Sequence, residues 1–296
     1  MHMDVAKYVE LIEEVNRRGG PVPSEYETLK KITNKLNELP TKTLETDMRL
    51  YKALSPAYDV NSMVGFSFIK PHGYAGDHEL IDRIYSKWKS SDKKHHRWDE
   101  LYHEMEATKA VRNRKDYFLA LVSKLESINE GQPVVLNLGS GPCSDLYQYL
   151  RKIPKTKVKF DCIDMDINAI EYASVVCDNY IDKINFIHKN AFRYKTDTKY
   201  NLIWSAGLFD YFSDKLFIRL TNRMYHLLQS GGELVIGNFS IDNPSRGLME
   251  IILQWYLHHR SEEDLINLAL EAGIERDKIS VNSEEIGVNL FLHLKK

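Results

Sequence analysis

The residues with the clearest chemical reading are Val134-Val135-Leu136-Asn137-Leu138-Gly139-Ser140-Gly141-Pro142-Cys143-Ser144-Asp145. An apolar run ends in Gly139-Ser140-Gly141, and the chain then turns helical. Glycines at such a point let the backbone turn tightly and approach a bound nucleotide-like group. A second apolar run, Val158–Ile163, ends in the acidic pair Asp164 and Asp166, and Asp164 follows Gly141 by 23 residues. A carboxylate about 20 residues beyond the glycine turn is placed to accept hydrogen bonds from ribose hydroxyls. Asp166 reads instead as the N-cap of a helix over 169–176. The order strand, glycine turn, helix, strand, acid is far more specific than two glycines alone.

The number of glycines separates two ligand classes. A dinucleotide site needs a third glycine, because the pyrophosphate rests on the helix N-terminus. Here that position is Ser144, so the ligand reads as an adenosine without a pyrophosphate. The stretch resembles the class I S-adenosylmethionine-dependent methyltransferases, whose first motif is an apolar strand ending in Gly-x-Gly. That resemblance covers roughly residues 130–296. Later landmarks follow in order: Ile184–Phe192 as third strand and turn, Tyr200–Asp210 as fourth strand and loop, Gly231–Asn238 as turn and fifth strand, Val288–Leu294 as final strand. It implies S-adenosylmethionine as cofactor, held by Gly139, Ser140, Gly141, Asp164, Met165, Asn190, Ala191, Ser205 and Gly207. Two departures stand out: Asn137 takes the place of the usual acid before the glycines, and Asn190 that of the Asp beside the adenine.

On the acceptor side, Asp210-Tyr211 follows the fourth strand and Asn238 ends the fifth, the two places that face the methyl group in that family. Asp210 could orient or deprotonate an acceptor, against a reading as helix cap or ion-pair partner. Tyr211 could cover the sulfonium, since an aromatic face attracts a cation by about 0.5–2 kcal/mol. Arg260 is a candidate anchor for a substrate carboxylate, with a structural ion pair as the competing reading. Leu248–Arg260 shows helical apolar spacing and carries Trp255, Tyr256, His258 and His259; Tyr256 is a candidate substrate contact. The cluster Lys109–Lys115 reads as a solvated helix face.

Three further segments, Lys70-Pro71-His72-Gly73-Tyr74-Ala75-Gly76-Asp77, Ala110–Arg114 and Glu285-x-Gly287-x-Asn289-Leu290-Phe291, resemble a bacterial subfamily, the extracellular-factor 3-hydroxypalmitate methyl ester synthases. This resemblance spans nearly the whole chain and implies a carboxylate acceptor. Tyr74 is then a candidate catalytic residue, and Asp77 and Arg112 are candidate substrate contacts. Methyl transfer from a sulfonium is an in-line displacement with a good leaving group, so positioning does most of the work, worth about 7–11 kcal/mol. A carboxylate acceptor needs no general base. Two other readings stay open: an enzyme of this fold that cyclises S-adenosylmethionine and releases methylthioadenosine, and a non-catalytic cofactor-binding module, which the two asparagines favour.

The elements that must position these residues follow from periodicity. Residues 1–128 read as an all-helical N-terminal domain, a cap over the site. Its helices fall over Val5–Val15, from Ser24, over Thr41–Tyr58, over Asp77–Trp88, over Trp98–Met105 and over Thr108–Ile128. Ser24 with Glu27 forms a capping box. Asn129–Pro133 marks the boundary. Residues 129–296 alternate strands and helices, which requires a doubly wound α/β sheet covered on both faces. Residues 279–294 add two strands joined through 282–287, a terminal antiparallel hairpin that, by the resemblance, makes the sheet seven-stranded.

Composition limits the partners. The chain has 296 residues, with 40 Lys and Arg against 42 Asp and Glu. The charge is balanced along the chain, which argues against a nucleic-acid binder. No window approaches the roughly 20 apolar residues of a membrane span. Acidic and basic residues from Asp4 onward argue against a signal peptide. Cys143, Cys162 and Cys177 form no close-spaced pair, so a reducing cytoplasmic compartment and no metal site are expected. The expected partner is a small-molecule or acyl substrate, and the expected assembly a homodimer.

Overall fold

The structure, a computed structural model, describes residues 5–38 and 44–296. The helix expected over 41–58 lies partly outside them. Described helices are α1 (Val5–Arg17), α2 (Tyr26–Asn37), α3 (Leu44–Leu54), α4 (Met63–Ile69), α5 (His78–Ser86), α6 (His96–Glu104) and α7 (Glu106–Ile128). Then come β1 (Val134–Leu138), α8 (Ser144–Lys152), β2 (Lys159–Asp164), α9 (Ile167–Val176), β3 (Ile184–His188), β4 (Tyr200–Ser205) and α10 (Asp214–Tyr225). The chain ends in β5 (Leu228–Phe239), α11 (Glu262–Glu271), β6 (Ile279–Ser283) and β7 (Asn289–Lys295).

The chain falls into two compact units: residues up to 109 with 243–256, and 110–242 with 257–296. This division differs in two places from the sequence boundary at 128/129. Most of α7 belongs with the sheet, because Phe118, Leu119 and Val122 are buried in the sheet core. Residues 243–256 belong with the helices, because Asn34 of α2 accepts from the Gly247 amide at 2.7 Å and donates to the Pro244 carbonyl at 2.8 Å. A Cβ on Gly247 would lie 2.3 Å from the Asn34 backbone nitrogen, so only glycine permits this approach.

In the sheet unit the strand order is β3-β2-β1-β4-β5-β7-β6, with β7 antiparallel to both β5 and β6 and every other pairing parallel. The expected seven-stranded sheet and terminal hairpin are both present. Because side chains alternate across a strand, each strand feeds two cores. Val135, Cys162, Leu202, Trp204, Val235 and Phe291 pack with α7, α8 and α9 on one face. Leu136, Leu138, Ile163, Ile203, Leu234 and Ile236 pack with α10 and α11 on the other. Parallel strands buried on both faces read as near-continuous apolar runs, which is why these strands are legible in the sequence. Order reverses between β1 and β4, and that switch point is where such sheets open a crevice beyond the strand ends.

One expected helix is largely absent. Only Leu248–Ile252 is helical, as a single π-type turn, and Gln254 then takes a left-handed φ of 48°. The following residues run extended: the Arg260 amide donates to the Phe239 carbonyl and the Ile241 amide to the Arg260 carbonyl, extending the end of β5. Periodic spacing could not reveal this competing backbone pairing.

Candidate active site

The crevice of the sheet unit is built at the carboxyl ends of β1, β2 and β4. Gly139 and Gly141 have φ of 67° and 52°, the left-handed region that glycine enters without strain. The amides of Gly139 and Ser140 both donate to the Ile163 carbonyl, at 2.9 and 3.0 Å. The turn is thereby fastened to the end of β2. The Asp164 carboxylate accepts from the Gly141 amide at 2.9 Å and from the Asp166 amide at 3.0 Å. Burial raises the Asp164 carboxyl above its ordinary value, and these amides pull it back. Asp166 caps α9, as its sequence position suggests, accepting from the Asn168 amide.

Two observations point to a polar ligand here. Among the described residues, the Asn137 amide nitrogen and the Ser140 hydroxyl are buried without an oxygen or nitrogen hydrogen-bond partner, the Ser140 hydroxyl meeting only the buried Cys143 thiol. Buried polar atoms are almost always paired in a finished core, so the pair marks a surface built for another polar group. A Cβ on Gly141 would meet nothing within 4 Å, so this glycine borders open space as well as making a turn.

The other residues expected to hold the cofactor are arranged around this turn. Ser205 is fully buried and donates from Oγ to the Leu138 carbonyl at 2.9 Å, tying β4 to β1. Gly207 lies against Arg114, and a Cβ there would sit 2.9 Å from the guanidinium. Asn190 Oδ1 accepts from the Phe192 amide and caps the short turn Ala191–Arg193 beyond β3. Ala191 packs at the margin of the core. Met165 is largely exposed, and its carbonyl accepts from His188 Nε2.

On the acceptor side, Asp210 is buried at the start of the loop after β4. Its Oδ1 accepts from the Phe239 amide at 2.7 Å and its carbonyl from the His258 amide at 2.8 Å. Burial pushes its carboxyl up to about 6, against the Phe239 amide and the charges of Arg114 and Arg260. Tyr211 beside it is partly exposed. Asn238 is fully buried and donates to the Phe239 and His258 carbonyls.

Arg260 departs from its expected role. It is buried and makes five contacts: Nε and Nη2 to Asp214, Nη1 to Asn238 Oδ1 and the Phe209 carbonyl, Nη2 also to the Phe212 carbonyl. A guanidinium has five N–H donors, so this side chain is consumed in clamping the Phe209–Phe212 loop to β5. It cannot also anchor a substrate carboxylate. By the same logic Asn238 is part of that clamp.

Tyr74, Asp77 and Tyr256 lie in the helical unit. Asp77 is the N-cap of α5, its Oδ1 accepting from the Leu80 amide at 2.9 Å. Tyr74 and Tyr256 are exposed. Arg112 is half-buried on α7.

Sequence reasoning misses Arg114. Its neighbours place it on a solvated basic face, yet it is buried, and its Nη1 donates to the Ala206 carbonyl at 3.4 Å. Its charge acts on two buried carboxyls, Asp145 and Asp210, both raised by burial. A signal does exist: Arg114 follows the buried Val111 by three residues and precedes the buried Phe118 by four, which is one face of a helix. Asp145 carries no such signal, because nothing in the sequence separates it from an ordinary first-turn acid.

Comparison with known proteins agrees with this geometry. Residues 135–232 match the family model described as a methyltransferase domain. Residues 135–232 of this chain carry a methyltransferase domain. A curated relative, malonyl-[acyl-carrier protein] O-methyltransferase 1 of Ilyobacter polytropus, is 29% identical over 122 residues, covering 40% of this chain and 44% of the relative. The match therefore spans less than half the length of that relative. Among solved structures, a "possible exported protein" of Bordetella parapertussis is similar over 100% of this chain and 97% of its own, with a TM-score of 0.66 at 16% identity. The S-adenosylmethionine-dependent methyltransferase SibL in its apo form is similar over 85% of this chain and 73% of its own, with a TM-score of 0.53 at 12% identity. At these identities the structural likenesses establish the fold. The cofactor of this domain class is S-adenosylmethionine, and the glycine turn, Asp164 and the two buried polar atoms are the residues that would hold it. Among the described residues, no helix is long and apolar enough to cross a membrane.

Proposed function

We propose that this methyltransferase domain methylates an oxygen of a small molecule or acyl substrate, with a carboxylate as the acceptor. The observation that carries the reading is Asp164 at the end of β2, hydrogen-bonded to the amide of the Gly139–Gly141 turn within the β3-β2-β1-β4-β5-β7-β6 sheet. When bound, S-adenosylmethionine supplies a methyl group on a sulfonium. The residues of this chain then have three tasks: to hold the ribose and methionine ends, to position the acceptor, and to exclude water.

Two features support a carboxylate acceptor. Arg114 brings a buried positive charge to the end of β4, where an anion would be held. Asp210 is committed to the Phe239 amide in the described fold, and an acceptor that is already an anion requires no proton removal. The curated relative is by its name an O-methyltransferase of malonyl-[acyl-carrier protein], which supports an oxygen acceptor on an acyl group.

Mass spectrometry of S-adenosylmethionine turnover, with and without a metabolite extract, tests the reading. Adenosylhomocysteine formed only with extract, together with a methyl ester product, is the expected result. Methylthioadenosine formed without extract would replace methyl transfer with cyclisation of the cofactor. Calorimetry supplies a second test. Charge-assisted hydrogen bonds are worth about 1.5–3 kcal/mol, so Asp164→Ala should weaken S-adenosylmethionine binding roughly 10- to 150-fold. An unchanged affinity would remove Asp164 from the cofactor site.

A further inference from the structure

We propose that the loop entering α5 is a binding site for a divalent first-row transition metal ion, ligated by His72, Asp77 and His78. One ligand atom from each of these side chains lies within 4.8 Å of the other two. Asp77 and His78 are buried, and the rings of His72 and His78 are 4.5 Å apart, tilted by 52°. Two imidazoles and one carboxylate form a donor set suited to zinc or ferrous iron. In a tetrahedral zinc site with ligands at about 2.0–2.1 Å, neighbouring donor atoms are roughly 3.3 Å apart. The observed donor atoms lie within 4.8 Å of one another, so a bound metal ion would draw the three side chains closer together.

The surroundings are those of an oriented ligand set. His72 Nε2 lies 3.1 Å from Glu79 Oε2, so a proton on Nε2 leaves the Nδ1 lone pair available for a metal. Ligating histidines commonly give their second nitrogen to a carboxylate, which fixes tautomer and ring orientation. Glu79 is itself held by Arg83, through Nε at 3.1 Å and Nη2 at 2.7 Å. Arg83 in turn lies over the rings of Phe66 at 3.8 Å and Trp88 at 4.3 Å. Between His72 and Asp77 the chain bends at Gly73 and Gly76, with φ of 87° and 70°, which brings residues five and six apart in sequence onto one point. The three donors would supply two neutral nitrogens and one negative charge, leaving a fourth position for water or another ligand.

The test uses the full chain, treated with a chelator, dialysed, and titrated with Zn2+ by calorimetry and with Co2+ by visible absorption. One equivalent should bind, and Co2+ should develop the d–d bands of a low-symmetry site. His72→Gln, His78→Gln and Asp77→Asn should each abolish stoichiometric binding; asparagine keeps the N-cap oxygen for the Leu80 amide, so this variant retains the cap of α5. Glu79→Gln should weaken binding about 10- to 100-fold, as loss of an orienting partner does. Circular dichroism of each variant checks folding, and S-adenosylmethionine affinity should be unchanged in all four. Absence of stoichiometric binding, or binding that survives all three ligand substitutions, would overturn the proposal and leave Asp77 as a buried cap flanked by histidines.

Discussion

Arg260→Ala should lower the stability of the sheet unit by about 3–5 kcal/mol, the range found when one member of a buried charged network is removed. The ion pair with Asp214 is a small part of this, because Asp214 is 70% exposed and water screens it. The cost comes from the acceptors left behind: Asn238 Oδ1 and the carbonyls of Phe209 and Phe212, all now aimed at the missing guanidinium. The ring of Phe217, 4.8 Å from the guanidinium carbon, loses its cation as well. Arg260→Lys should recover only part of the loss, since an ammonium on a flexible stem cannot reproduce a planar five-donor fork. Urea denaturation of both variants measures the effect. A loss below about 1 kcal/mol for alanine would mean that water replaces the guanidinium at little cost. There is a functional consequence too. The clamp holds the loop carrying Asp210 and Tyr211, so methyl transfer should fall further than cofactor affinity, to which the Gly139–Gly141 turn and Asp164, outside that loop, contribute.

That clamp also shows where sequence reading stops. The glycine turn, Asp164, Asp166 and the strands themselves are legible because each is dictated locally. A left-handed φ requires glycine, a helix start requires a cap, and a strand buried on both faces requires an apolar run. The role of Arg260 is not legible, because its acceptors come from distant stretches of chain, 209–214 and 238, that only the fold brings to it. A buried arginine saturated by carbonyls and one waiting for a substrate are the same letter. Arg114 can be placed inside by its spacing from Val111 and Phe118, but the neighbouring Lys109, Arg112 and Lys115 mask that pattern. The helix expected over 248–260 fails for a related reason: the extended pairing of Arg260 with Phe239 and Ile241 is a tertiary choice that overrides periodic spacing. Asn238 and Ser205 do lie at strand ends. Their side chains, however, are spent on the protein, Ser205 on Leu138 and Asn238 on His258.

Asp210→Asn should make the protein more stable at neutral pH, and the gain should depend on pH. The Asp210 carboxyl is raised from its ordinary 3.8 to about 6, burial being the largest cause. The native state therefore holds this proton more tightly than the unfolded chain does. Below about pH 4 both states are protonated and the group imposes no penalty. As pH rises through 6, the native state must keep a buried carboxylate while the unfolded chain keeps a hydrated one. Stability from this group is thus lost between about pH 4 and 6 and stays lost above. At 1.36 kcal/mol per pH unit, a rise of this size corresponds to about 3 kcal/mol. Asparagine preserves an oxygen for the Phe239 amide and carries no charge. The difference in unfolding free energy between variant and parent should accordingly be near zero at about pH 4 and approach about 3 kcal/mol at about pH 8. Using this difference cancels the other titrating groups common to both proteins. A variant that is instead less stable at about pH 8 would show that the attraction of Arg114 and Arg260 outweighs burial. Asp210 would then be an ordinary buried ion-pair partner. The same variant bears on the chemistry: a carboxylate acceptor needs no base, so turnover in Asp210→Asn should persist, whereas a hydroxyl acceptor that depends on Asp210 for proton removal should lose about 10²- to 10⁴-fold in rate.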